Sequence, residues 1–105
     1  MKIITNKKLK EECWNLDYSL VVWLNEHLRV YLEDADKVID LAYYKFDYEG
    51  ETYTLKEIII KLIAITDYLK DKHFADSSSE ELEITERKKD EMYDILKMIH
   101  YYLWW

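Results

Sequence analysis

The sequence predicts an all-α protein, arranged as an antiparallel three-helix bundle with a long first helix. Apolar side chains recur every three or four residues in three long stretches, which is the spacing of one helix face. The 105 residues include one glycine and no proline, so the turn residues that a β-rich fold needs are nearly missing. Half of the residues are hydrophobic and 35% are charged, as in folded globular proteins. We therefore expect a single helical domain over residues 1–105.

The lysine-rich start of the chain allows two interpretations. Thr5 or Asn6 can cap a short helix that continues through Cys13 and Trp14. The run of residues 2–5 is β-like and favours an extended arm instead. Both a short N-terminal helix and an arm remain open.

The first long helix is predicted over residues 17–45, with Asn15 or Asp17 as its N-cap. Close to 30 residues at about 1.5 Å each give a rod of roughly 45 Å. Its predicted core face is the apolar set at helical spacing: Leu20, Leu24, Leu28, Tyr31, Ala35, Val38 and Ala42. The predicted solvent face is the polar set: Asn25, Glu26, Arg29, Glu33, Asp36, Lys37 and Asp40.

That helix is expected to end near Tyr43 to Asp47, and Gly50 predicts a turn after it, because glycine takes positive φ without steric cost. The alternation in residues 48–53 predicts a turn or a small two-stranded flap. The second helix is predicted over residues 55–73, since Thr54 and Glu57 have the spacing of a capping box. Its apolar face is unusually wide, which predicts a central position in the fold.

The third helix is predicted over residues 80–104, with Ser78 and Glu81 as a further capping box. Its first half is mostly charged and is expected to face solvent. Its second half has an apolar stripe at helical spacing: Met92, Ile95, Leu96, Ile99, Tyr102 and Leu103.

The net charge of −7 is concentrated in the middle of the chain. Residues 33–54 contain seven acidic and two basic residues, a local balance of −5. Direct nucleic-acid binding is disfavoured, because phosphate contacts need clustered cations. A partner protein with a basic surface suits this charge better.

We expect the protein to be cytoplasmic and not to bind a membrane. Residues 1–8 lack the apolar core of a signal peptide. Hydrophobic runs are far shorter than the roughly 20 residues that span a bilayer. The lone Cys13 cannot form an internal disulfide.

No motif for catalysis or metal binding is found in the sequence, so we expect no enzyme, cofactor or metal site. The three histidines (His27, His73 and His100) fall one in each predicted helix without metal-ligand spacing. Glu33, Asp36 and Asp40 have i, i+3, i+7 spacing, but bases interleave with them as on a solvated helix face. The serines at 77–79 are explained by capping, and a single glycine cannot build a phosphate loop.

Two features point to binding. Tyrosines accompany the acidic residues of 33–54, and the chain finishes on two tryptophans, where a terminus is normally polar. Tyr and Trp are enriched at interaction hot spots, although the tail can instead fold back onto the bundle end. The predicted interaction surface is Glu33, Asp36, Asp40, Tyr44, Asp47, Tyr48, Glu49, Tyr101, Trp104 and Trp105.

Three segments carry a family resemblance: residues 14–20 (WNLDYSL), 53–59 (YTLKEII) and 96–105 (LKMIHYYLWW). In this order they resemble small bacteriophage-encoded helical proteins that share a Trp and Asp-Tyr/Trp-Ser helix start and a Leu-Trp-Trp finish. The chain departs from that pattern after the long helix, where Tyr48-Glu49-Gly50-Glu51 replaces an expected Pro/Gly-rich loop. The resemblance implies a phage origin and a helical fold, and suggests work inside an infected cell. The group has no established activity.

The favoured hypothesis is a non-catalytic interaction module of phage type that binds, and in one version inhibits, a host or defence protein through the acidic tyrosine-bearing surface. The alternative is a homo-oligomeric structural or assembly protein without enzymatic activity. In that case the long first helix and the wide face of the second are buried between copies.

Overall fold

The computed structural model describes residues 7–13, 15–72 and 79–103, and it is mostly helical. In chain order these residues form α1 (Lys7–Glu12), α2 (Leu16–Ala35), β1 (Lys45–Tyr48), β2 (Glu51–Thr54), α3 (Leu55–Lys72) and α4 (Ser79–Ile99), followed by a 3₁₀ turn (His100–Tyr102). The two strands form an antiparallel hairpin. The predicted helical class and the flap around Gly50 are therefore confirmed. The short N-terminal helix is present as α1, while the β-like run at 2–5 lies outside the described residues.

Helix α3 is the centre of the molecule, with α2 and α4 packed against it. The predicted capping box starts it: the Glu57 carboxylate accepts a hydrogen bond from the Thr54 amide at 2.8 Å, and the Thr54 hydroxyl accepts one from the Glu57 amide at 3.2 Å. The core is a single apolar cluster, to which α3 contributes the largest share: Leu55, Ile58, Ile59, Leu62, Ile63, Ile65 and Leu69. The predicted central position of this helix is confirmed.

The predicted first helix is too long by about ten residues. Helix α2 ends at Ala35, and the chain continues as a turn in which the Val38 and Ile39 amides both donate to the Ala35 carbonyl. The Asp40 carboxylate then accepts a hydrogen bond from the Ala42 amide at 2.9 Å, a local bond that competes with helix formation.

The segment after α2 also satisfies the start of α3. The carbonyls of Leu41 and Tyr44 accept hydrogen bonds from the first two amides of α3, at 3.1 and 2.9 Å. These amides have no partner within their own helix. Because Leu41 is at the same time buried in the core, this arrangement is more favourable than continued helix through Val38 and Ala42, which are exposed.

The buried face of α2 matches the predicted core face only in part. Leu24, Leu28 and Ala35 are buried as expected, whereas Leu20 is exposed. Asn25 was predicted on the solvent face, but it is fully buried between α2 and α3.

A polar cluster around Asn25 joins the two helices. The Asn25 side-chain amide donates to the Ile63 carbonyl, the Thr66 hydroxyl and the Asp67 carboxylate at 3.2, 2.8 and 3.0 Å. Its oxygen accepts from Arg29 at 3.1 Å, and also from Lys70 at 3.2 Å. Nothing in this buried cluster is left without a hydrogen bond among the described side chains.

An ion pair closes the same cluster toward solvent, where Arg29 binds both Asp67 oxygens at 2.7 and 2.6 Å. These hydrogen bonds from Arg29, together with the one from Asn25, hold the pKa of Asp67 below its usual value, although burial opposes them. At the other end of the helix pair, Lys56 binds Asp36 at 2.9 Å, so α2 and α3 run antiparallel.

The third predicted helix was placed at 80–104, and its regular part ends at Ile99. Ser78, the predicted cap, lies outside the described residues, as do Trp104 and Trp105. The 3₁₀ turn then directs the chain onto the hairpin side of the molecule, since Tyr102 contacts Tyr44 and Phe46. The apolar stripe of the predicted second half is confirmed, with Met92, Ile95 and Ile99 buried.

Candidate interaction surface

The hairpin turn consists of Glu49 and Gly50, and both have positive φ, 49° and 83°. A two-residue hairpin loop of type I′ requires positive φ at both positions because its twist matches that of the strands. Gly50 adopts this conformation without cost, whereas Glu49 is strained there, since side chains other than Gly, Asn and Asp rarely enter this region. The tip of the hairpin therefore carries a carboxylate at a position where asparagine or glycine would fold better.

Further carboxylates lie along the hairpin beside this tip. In the register of the two strands, Tyr48 pairs with Glu51 and Asp47 pairs with Thr52. Asp47 accepts a hydrogen bond from the Thr52 hydroxyl at 2.7 Å, and Glu51 accepts one from the Tyr53 hydroxyl at 2.9 Å. Both carboxylates are exposed, and these bonds fix their positions on the surface.

Two acidic residues of α4 act electrostatically on Tyr48 of the hairpin. Burial is the largest cause that raises the pKa of Tyr48 to about 12, and the negative charges of Glu49, Glu91 and Asp94 and a hydrogen bond to Glu49 contribute to the same shift. The hairpin tip and the middle of α4 thus both contribute negative charge that acts on this phenol. We call Asp47, Glu49, Glu51, Glu91 and Asp94 the hairpin acidic surface.

The pKa of a second tyrosine, Tyr53, is raised by acidic residues of the same hairpin. A hydrogen bond to Glu51 is the largest cause that raises the pKa of Tyr53, followed by burial and by the charges of Glu51, Glu49 and Glu57. The Lys61 ammonium of α3 lies 5.9 Å from the centre of the Tyr53 ring.

The predicted acidic residues before the hairpin do not join this surface as one helical face. Glu33 is exposed in the last turn of α2, and Asp36 and Asp40 lie beyond the end of the helix. Asp36 is held by its ion pair with Lys56, and Asp40 by its bond to the Ala42 amide. Glu33, Asp36 and Asp40 therefore do not form a row on one face of a helix, although their i, i+3, i+7 spacing would allow it.

The predicted aromatic residues divide into packed and exposed groups. Tyr44 and Phe46 pack against Tyr102, with ring centres 4.8 and 5.0 Å apart, and Tyr43 meets Tyr44 at 5.1 Å. Tyr101 is 87% exposed. Within the described part of the tail, Tyr102 is thus folded back onto the hairpin side, while Tyr101 is free to contact a partner.

Tyr101 borders a groove of about 410 Å³ on the outer side of α4, lined also by Tyr93, Leu96, Lys97 and His100. Positions 94, 97 and 101 are spaced three and four residues apart, so they follow one side of the helix and its continuation. Asp94 therefore lies about one turn before Lys97 on a side of α4 that contributes to the groove. Aromatic side chains are enriched at protein interfaces, whose rims are polar.

Glu91 and Asp94 are the surface residues that sequence reasoning missed. The charge count over 33–54 found the hairpin acids, but the α4 acids are some 40 residues further along the chain. Their signal was their position immediately before Met92 and Ile95, which places them at the border of the buried stripe. Residues at such a border lie beside whatever covers the stripe.

No metal or membrane site is found in the described residues. Groups of three His, Cys, Asp or Glu that could hold a metal ion do not occur among residues 7–13, 15–72 and 79–103. His27 instead stacks on Trp23, and His100 contacts Tyr101, while His73 lies outside these ranges. Within the same ranges, no helix combines the length and apolar character that crossing a membrane requires.

Comparisons with known proteins yield no match: no family model, no curated protein and no solved structure is similar to this chain. The phage resemblance accordingly rests on the three segments quoted above.

Proposed function

We propose that this protein is a non-catalytic binding module that uses the hairpin acidic surface to dock onto a basic surface of another protein. The observation that carries the proposal is the strained Glu49 at the hairpin tip. Its charge acts on Tyr48 together with the charges of Glu91 and Asp94. Strain retained at a surface position supports a functional role, because stability alone would favour asparagine or glycine there.

The chemistry of this surface suits lysine- and arginine-rich partners. Its residues lie on a two-residue turn, on paired strands and on a helix, so little backbone freedom is lost on binding. Opposite charges accelerate encounter and select the orientation of docking. Tyr101 and the adjacent groove supply the aromatic contact area that a purely electrostatic surface lacks.

A nucleic-acid channel is one basic surface of this kind. Carboxylates arranged on a rigid scaffold can take the places of phosphates on its lysines and arginines. With a phage origin, such a module would act in the cytoplasm of an infected cell, and a host or defence nuclease would be a suitable target for inhibition. The scaffold we propose for it is an antiparallel three-helix bundle centred on α3.

The test is affinity capture from bacterial lysate with three forms of the protein. The first is the wild type, and the second is the surface variant Glu49→Gln, Glu91→Gln, Asp94→Asn. The third is a matched control with the same change of charge on exposed residues elsewhere, Asp71→Asn, Glu80→Gln, Glu83→Gln. Capture is repeated at low and high ionic strength, because salt weakens contacts between exposed charges.

The proposal predicts a partner that the wild type and the control both retain at low salt and that the surface variant loses. High salt should weaken its capture by the wild type as well. If the surface variant retains the same partner as fully as the control does, the hairpin acidic surface is not the binding site.

A further inference from the structure

A row of uncovered apolar side chains follows α2. Leu16, Leu20, Trp23 and Val30 are 62%, 47%, 55% and 58% exposed, and the exposed His27 lies between the last two. We call these five residues the outer α2 row. Single exposed apolar residues are ordinary, but a contiguous row marks an interaction site.

The spacing of the outer α2 row is that of a helix–helix seam. Successive members are four, three, four and three residues apart, as the a and d positions of a coiled coil are. The buried row of the same helix has the same pattern, displaced by one residue: Leu24 and Leu28 are buried in the core, and Val21 and Tyr31 are partly buried against it. One residue is about 100° around a helix axis. The outer α2 row therefore points away from α3, which covers the buried row.

The row contains both a protrusion and a hollow. A groove of about 320 Å³ lies beside Trp23, with walls from His27, Val30, Tyr31 and Leu103. His27 stacks on Trp23 with ring centres 4.0 Å apart, and its Nδ1–H donates to the Trp23 carbonyl at 2.7 Å. These contacts hold the two rings together as one half-exposed ridge. A two-fold symmetric interface needs one patch that supplies both shapes.

Charge favours a second copy as the occupant. No Asp, Glu, Lys or Arg occurs at the five positions of the row, although 35% of the chain is charged. A basic partner of the kind proposed above has no countercharge to meet here. An uncharged row of the same length and spacing does fit, because it offers knobs for the holes without leaving a charge buried and unpaired.

We propose that the outer α2 row packs against the same row of a second copy, so that the protein is a homodimer. This interface is on a different surface from the hairpin acidic surface, and it leaves that surface open in both copies. It also differs from the surfaces expected at the outset: the first helix lacks its predicted extra length, and most of the apolar face of α3 is buried in the core.

Sedimentation of the purified full chain at micromolar to submillimolar concentration tests the dimer. The expected mass is twice the 12.9 kDa of one chain. Leu20→Glu and Trp23→Glu should each give the single-chain mass, whereas Ile60→Glu, a control at a half-exposed position of α3, should keep the dimer. Circular dichroism confirms that each variant is folded.

A second measurement traps the contact between copies with a disulfide and introduces no charge into the interface. In a Cys13→Ser background, Trp23→Cys should form a disulfide-linked dimer on mild oxidation, because the middle member of the row meets its counterpart whichever way the helices run. Ile60→Cys should stay unlinked. A wild type that sediments as a single chain throughout this range overturns the proposal, as does a folded Trp23→Glu variant that stays dimeric. If the full chain is a monomer and dimerises only after removal of Trp104 and Trp105, the proposal is also overturned, since the chain's own end would then occupy the groove.

Discussion

The polar cluster around Asn25 makes a quantitative prediction about stability. Asn25→Ala removes five hydrogen bonds at a fully buried position between α2 and α3. Not all of this is lost, because Thr66 keeps its bonds to the carbonyls of α3 at 3.0 and 2.9 Å. The Arg29–Asp67 pair also remains, and its side chains are about half exposed and can bind water instead. We expect a cost of about 2–3 kcal/mol, from the lost bonds and the small cavity.

Urea unfolding followed by circular dichroism measures this cost at one fixed protein concentration, since a dimer would make stability depend on concentration. Glu26→Ala is the matched control at the neighbouring exposed position, with an expected change within about 0.5 kcal/mol. Asn25→Leu separates the causes, because it fills the volume without restoring the hydrogen bonds, so it should remain destabilising. If Asn25→Ala costs no more than Glu26→Ala, the cluster does not hold the two helices together.

Three further predictions follow from individual residues. The pKa of Asp67 is lowered on folding, so the stabilisation from its carboxylate is present above the unfolded pKa of about 3.9 and lost as pH falls through the lower folded value. Asp67→Asn should therefore lower the free energy of unfolding by more at neutral pH than in strong acid. An equal loss at both pH values would be evidence against the ion pair. The pKa of Tyr48, about 12, should decrease in the surface variant and not in its charge-matched control. Burial should keep the pKa of Tyr48 above its ordinary value in both proteins. NMR of ¹³C-labelled tyrosine measures these pKa values. Glu49→Asn should stabilise the hairpin by several tenths of a kcal/mol, as measured by thermal unfolding, and weaken partner binding, as measured by affinity capture. Gly50→Ala should lower the stability by about 1 kcal/mol in the same unfolding assay, because Gly50 has no neighbour within 4 Å and only its positive φ opposes a side chain.

The elements that could be predicted from the sequence are those with local signals. The start of α3 depends on two side chains three residues apart, and the hairpin turn on Gly50, so both can be recognised within a few residues. The end of α2 could not be recognised in this way. Apolar spacing continues through Val38 and Ala42, but the burial of Leu41 and its bond to α3 are tertiary contacts that end the helix earlier.

The same distinction applies to the candidate sites. Asn25 has a polar side chain on a helix with a polar face, and only the packing of α3 shows that its amide is buried. Glu91 and Asp94 belong to the acidic surface because α4 runs past the hairpin, which no charge count along the chain reveals. The hairpin acids themselves were found, since they are close in sequence as well as in space.

The affinity of the captured partner for the surface variant tests the central claim most directly. Calorimetric titration would compare the wild type, the surface variant and its charge-matched control at equal ionic strength. Removal of three charges that contact the partner should weaken binding at least tenfold, since 1.4 kcal/mol corresponds to a factor of ten. The control should bind within about twofold of the wild type, because exposed charges outside an interface contribute little. Equal affinities of the surface variant and the control would contradict the account.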